Sequence, residues 1–105
     1  MTYQKVLCAL ADPTRQAIVD ALRLTPQPVS ALAHKLPISR PAVSQHLKIL
    51  NDAGLVHVSP RGNRRYYSLA PDGFQSLRRY LDRLWDDALS NFAQEASKLA
   101  RKDTS

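Results

Sequence analysis

The chain has 105 residues, a formal net charge of +6 and a single cysteine, Cys8. That length predicts one small domain, 1–105, and one cysteine excludes an intrachain disulfide. No apolar run approaches the roughly 18 residues of a membrane span, and the N-terminus lacks the positive-then-apolar pattern of a signal peptide. The expectation is a cytoplasmic protein with no membrane partner.

The charge is unevenly spread. Between Lys35 and Arg65 there are six Lys and Arg (Lys35, Arg40, Lys48, Arg61, Arg64, Arg65) against one acid, Asp52. Between Asp72 and Glu95 five acids outnumber three arginines. A basic centre beside a slightly acidic tail points to a localised polyanion contact.

Tyr3 to Ala11 carries Tyr3, Val6, Leu7 and Leu10 at helical spacing and reads as a first helix. Asp12-Pro13 restarts the chain, because Asp caps a helix well and Pro suits its first position. The second helix is predicted to run to about Leu24, with Thr14, Ala17, Ile18, Ala21 and Leu22 inside. Thr25-Pro26-Gln27-Pro28 reads as a turn, since two prolines do not fit a helix interior. A short third helix, Val29 to Lys35, a turn at Leu36-Pro37-Ile38, and a fourth helix from Arg40 to Ala53 follow. Ser39 is its cap, and Gly54 stands where a glycine commonly ends a helix. The runs LVHVS and RRYYSL flank Pro60-Arg61-Gly62-Asn63 and predict a hairpin, with Tyr67 and Leu69 inward and Tyr66 and Ser68 outward. A last helix begins near Pro71-Asp72-Gly73 and runs to about Lys98.

The order is α-α-α-α-β-β-α, mainly α. A helix-turn-helix followed by a two-stranded wing is a winged helix domain.

On a helical wheel Leu47 and Leu50 fall within about 40° of Val43 and form the inner face of the fourth helix. The outer side carries Pro41, Gln45, Lys48 and Asp52, flanked by Arg40 and Ser44. Arg can pair with a guanine edge, Gln with an adenine edge, and Ser with base or phosphate. Residues at the N-terminus of such a helix reach base edges. Arg40, Pro41, Ser44 and Gln45 are therefore read as base-reading residues, and Lys48 as a phosphate contact. Arg61, Arg64 and Arg65 on the hairpin can enter a minor groove or clamp phosphate. His46 lies about 60° from the inner centre, as a packed histidine at the edge of the buried face. His34 and His57 have no partners at metal spacing and read as surface residues.

Leu10-Ala11-Asp12-Pro13-Thr14-Arg15, Ile38-Ser39, the run Val43 to Leu50, Ala53-Gly54-Leu55-Val56, Arg61-Gly62 and Tyr67-Ser68-Leu69 together resemble the ArsR family of bacterial winged helix repressors. The resemblance spans about Leu10 to Phe92. It implies a homodimer built from the first and last helices, here 1–11 and 72–100, on a partly palindromic operator. On that pattern Tyr3, Val6, Leu10, Leu77, Leu81, Leu84, Trp85 and Ala88 form the dimer interface, and the base-reading positions match Arg40, Pro41, Ser44 and Gln45. Many members sense metal through cysteines near the third helix, or through Asp and His in the last helices. Here Pro28 to Leu32 has no cysteine and the last helix has no histidine, so no metal and no cofactor is expected. Any small-molecule or redox effector is left unidentified. Cys8 reads as a small buried apolar residue; an interchain Cys8–Cys8 switch is the alternative if the first helices cross at the dimer axis.

The dimer has support of its own. Phe74, Leu77, Leu81, Leu84 and Ala88 form one stripe on the last helix, with Trp85, Leu89 and Phe92 beside it. A small domain can bury one stripe; the excess either meets a second copy or packs on the first helix. The reading is a DNA-binding transcriptional regulator, with a winged helix protein-interaction module as the alternative. No glycine-rich phosphate loop, metal cluster or Ser/His/Asp grouping points to an enzyme.

Overall fold

A computed structural model describes residues 2–104, with side chains from 2 to 101. The elements are α1 (Tyr3–Leu10), α2 (Pro13–Leu22), β1 (Gln27–Pro28), α3 (Val29–Lys35), α4 (Arg40–Asp52), β2 (Val56–Arg61), β3 (Arg64–Leu69) and α5 (Pro71–Thr104). The helices and the hairpin stand close to where the pattern predicts, with α5 running past Lys98 to Thr104, giving a winged helix-turn-helix.

Local chemistry sets most boundaries. The Asp12 carboxylate accepts the Arg15 backbone N–H at 3.0 Å and caps α2, whose first residue is Pro13. That same hydrogen bond is the largest influence on the Asp12 carboxyl; with the nearby charge of Arg15 it outweighs the opposing effect of burial and holds the group below the usual carboxylate range. The following residues reach back onto α1. Arg15 Nε donates to the Ala9 carbonyl at 2.6 Å, Arg15 Nη2 to Cys8 at 3.2 Å, and Gln16 Nε2 to Leu10 at 2.6 Å. The carbonyls of Cys8, Ala9 and Leu10 at the end of α1 are thus satisfied by α2. Ser39 Oγ accepts from Ala42 N at 3.3 Å to start α4. Gly54, at φ 76°, turns the chain out of it.

The core joins Val6 and Ala9 of α1, Ile18 and Leu22 of α2, Leu32 of α3, Val43, Leu47 and Leu50 of α4, and Leu55 and Val56 at the start of the wing. The predicted inner face of α4 is fully buried, and Tyr67 and Leu69 pack on the same core.

Four expectations change. Thr25 to Pro28 is more than a turn, because Gln27 and Pro28 form a short strand paired antiparallel with Tyr67 and Tyr66. The sheet order is β1-β3-β2, so β1 lies at an edge, where a proline with no N–H is tolerated. Gln27 is buried in spite of its amide. It donates to the Ala21 carbonyl, and its Oε1 accepts from Lys35 Nζ at 2.7 Å. Second, α2 stops at Leu22, and Leu24 is 91% exposed. Third, Cys8 is exposed, because Val6 and Ala9 occupy the buried side of α1 and turn Cys8 away from it. Fourth, Val6 is 0% exposed within its own chain and has no surface to offer a partner. Its neighbour Leu7, 42% exposed, is the free apolar residue of α1.

Helix α5 has 34 residues, about 51 Å at 1.5 Å per residue. Its start packs on α1, where the Tyr3 and Tyr80 rings stack at 4.1 Å between centroids. Gly73 sits against the end of α4. Its N–H donates to the Gly54 carbonyl at 3.1 Å, and a Cβ at this position would lie 2.7 Å from that oxygen. Beyond Tyr80 the helix leaves the body, and the molecule measures 74 × 25 × 22 Å. Leu81, Leu84, Trp85, Leu89, Phe92 and Leu99 are all exposed there, so α1 does not cover them. Their angular positions merge the two predicted stripes into one arc of about 140°. No helix among the described residues is long and apolar enough to cross a membrane.

Candidate nucleic-acid interface

Burial of Val43, Leu47 and Leu50 turns the opposite side of α4 outward. Arg40, Pro41, Ser44, Gln45 and Lys48 are all exposed, as the wheel predicts. Pro41, at the start of the helix, gives up no hydrogen bond there.

The sheet carries the wing to the same side. The β2–β3 register runs from Val56 opposite Leu69 to Arg61 opposite Arg64, and Gly62 (φ 62°) closes the turn with Asn63. Arg64 and Arg65 leave that turn along β3. With Arg40 and Ser44 of α4 they line one hollow, completed by Pro28, Val29, Ser30 and Tyr67. Three guanidinium groups thus meet in a concavity whose lining contains no acid. Low-dielectric walls around charge of one sign concentrate an attractive potential for a polyanion.

Sequence reasoning places Arg40, Ser44, Arg64 and Arg65 in one site, and the fold brings these four together. Pro41, Gln45 and Lys48 are outside the hollow, on the exposed face of α4. Arg61 is also apart. Its guanidinium carbon lies 4.8 Å from the centre of the Tyr66 ring, a cation–π contact that rests the side chain on the wing. Pro28, Val29, Ser30 and Tyr67 are the lining residues that the sequence does not assign to the site. Their signal is the β1–β3 pairing, which sets Pro28 beside Tyr66 and draws the start of α3 to the wing.

His46 occupies the flank of α4, half-buried. Arg15 Nη1 approaches its Nδ1 at 3.4 Å, and the Asp12 carboxylate lies 4.0 Å from the same nitrogen. His46 is therefore a packing residue that joins α4 to the α1–α2 corner. His34 and His57 are exposed.

Comparison with known proteins agrees with the winged helix-turn-helix fold. A helix-turn-helix domain model matches residues 10–59. The HTH-type transcriptional regulator Rv2034 of Mycobacterium tuberculosis is 56% identical over 86 residues, 82% of this chain and 80% of its own. The nodulation protein NolR of Rhizobium meliloti is 35% identical over 96 residues, 91% of this chain and 77% of that one. Among solved structures, an ArsR-like transcriptional regulator from Rhodococcus sp. RHA1 superposes with a TM-score of 0.76 at 34% identity, covering 90% of each chain. A possible transcriptional regulator for arsenical resistance superposes at 0.70 with 42% identity, over 85% of this chain and 93% of the other.

Proposed function

The chain belongs to the ArsR family of winged helix transcriptional regulators, and we propose that it represses transcription as a symmetric homodimer on a partly palindromic operator. The observation that carries the DNA-binding part is the acid-free hollow in which Arg40 and Ser44 of α4 meet Arg64 and Arg65 of the wing. A duplex laid across it receives the start of α4 in its major groove and the wing on the adjoining backbone. Arg40, Pro41, Ser44 and Gln45 then face base edges, Lys48 and the wing arginines face phosphate, and Arg61 keeps its place on Tyr66.

The dimer is supported by the exposed arc of α5. Full burial of a Leu, Phe or comparable side chain stabilises by about 1.5–3 kcal/mol, and Trp85 and Phe92 leave 66% and 73% of their surface uncovered. A second copy of the same helix covers this arc symmetrically, with Leu7 and Leu10 of α1 at its margin. Tyr3 contributes through its stack on Tyr80, and Leu77, half-buried, lies at the inner end. Two-fold pairing sets two copies of α4 on half-sites about one DNA turn, roughly 34 Å, apart. Relatives named as repressors, such as SdpR of Bacillus subtilis, support the direction of regulation.

The test is selection of genomic fragments by the purified chain, followed by titration of the best fragment at rising salt. The expected result is a two-fold symmetric site whose affinity falls steeply, by about 0.9 log units per log unit of salt for each neutralised phosphate. Absence of enrichment, or a flat salt response, overturns the reading in favour of a protein-interaction module.

A further inference from the structure

A cleft between α1 and the far end of α4 lies outside the DNA-facing hollow. Its volume is about 420 Å³, within the range of small-molecule sites. Lys5, Cys8, Arg15, Ile49 and Asp52 line it over a floor of buried Ala9 and Ala53.

Three features mark it. The first is Ile49, an apolar side chain left 43% exposed on a helix whose outer side is otherwise polar. With Cys8, Ala9 and Ala53 it makes the cleft a mainly apolar surface. The second is charge. Lys5 and Arg15 outnumber Asp52 in the lining; the Asp12 carboxylate outside it lies close to Arg15, and Lys5 remains to complement a single anionic group on an apolar body. The third is connection. Arg15 is held by the Ala9 and Cys8 carbonyls and by His46 Nδ1, so one wall of the cleft is tied to α4 beside Gln45. Ile49 itself lies one turn beyond Gln45 and on nearly the same side of the helix.

We propose that this cleft is an effector site for a small apolar molecule carrying one carboxylate, whose occupation weakens the grip of α4 on DNA. The regulatory half rests on the DNA-binding reading above. The carboxylate pairs with Lys5 and Arg15, and the apolar body covers Ile49 and Ala53. Pairing draws Arg15 from the contacts that hold the α1–α2 corner to His46, and α4 shifts relative to the wing. The ligand favours the shifted state because only there is Arg15 released to it. Lys5 and Ala9 lie about 160° around α1 from Leu7 and Cys8 about 100°, so the Lys5 side of the cleft stays open when the Leu7 side meets another chain.

Cys8 supplies the readout, being the only cysteine in the chain. The probe is octanoate below its micellar range, with 1-octanol as the uncharged arm. Octanoate is expected to slow alkylation of Cys8 by iodoacetamide at least about fivefold, and to lower affinity for the selected DNA fragment at least about fivefold. Octanol protects less, and Lys5→Glu removes the protection by octanoate. Absence of protection, equal protection by octanol, or unaltered protection in Lys5→Glu overturns the carboxylate site. Protection with unchanged DNA affinity overturns the regulatory half. A chain that binds no DNA fragment at all removes that half together with the parent reading, while Cys8 protection still decides whether the cleft takes a carboxylate.

Discussion

Helix α4 buries Val43, Leu47 and Leu50 completely, whereas the outer part of α5 leaves Leu84, Trp85, Leu89 and Phe92 in solvent. Both helices are amphipathic, and both carry apolar residues three and four positions apart. The difference lies in what surrounds them. Helix α4 is enclosed by α1, α2, α3 and the wing, so its apolar side is satisfied inside one chain. Helix α5 runs on past α1 after Tyr80, where its apolar side chains stay exposed among the described residues. Periodicity states that a face will be covered; chain length and topology decide by what.

The largest test of this contrast is to spoil the uncovered side. Trp85→Glu combined with Leu89→Glu is expected to give a monomer in sedimentation and to lower operator affinity by about 10²–10⁴-fold, the loss of a second tethered half-site. A double variant that stays dimeric and binds DNA as before would show that the exposed side of α5 is not where two copies meet. Next comes the covered side. Leu47→Ala is expected to cost about 2–5 kcal/mol in urea unfolding, and a loss within the roughly 0.5 kcal/mol of a surface position would show that α4 is not enclosed.

Smaller effects sharpen the picture at the edges of α4. Arg40→Ala is expected to weaken specific binding by about 1–3 kcal/mol per half-site and to relax base preference. Titration on selected and scrambled fragments checks it; equal loss on both reassigns Arg40 to phosphate. The smallest effect is at the Asp12 cap. Its carboxyl pKa is lowered in the folded chain, so the cap stabilises above the unfolded value near 3.9 and the contribution is lost as pH falls through the folded one. The melting temperature of Asp12→Ala should therefore lie below that of the parent at pH 7, and the gap should close as pH is taken below about 4. A gap independent of pH would remove the charge from the cap.

Much of this was legible in the sequence because its causes are local. Asp12, Ser39 and Gly54 mark helix ends through their own side chains or backbone, and the hairpin is written in Arg61 to Arg64. The outward side of α4 follows from three buried residues. Strand β1 is different. Two residues have no periodicity, and Gln27 and Pro28 become a strand only because β3 offers them an edge. The hollow that joins Ser30 and Tyr67 to the arginines depends on that pairing and was equally hidden. The exposure of Cys8 was readable in principle, since the residue falls about 160° around the helix from Val6, but the general tendency of cysteine to be buried argues the other way.

Gly73 gives the molecule a fixed elbow. The backbone of α5 touches the carbonyl of Gly54 with no side chain between them, so main-chain atoms, together with the Tyr3–Tyr80 stack, fix the angle at which the long helix departs. Surface residues along α5 can drift without changing that angle, whereas any Cβ at position 73 forces it open. In the proposed dimer two such arms would act as calipers, and a methyl group added at Gly73 would alter the span between the two copies of α4.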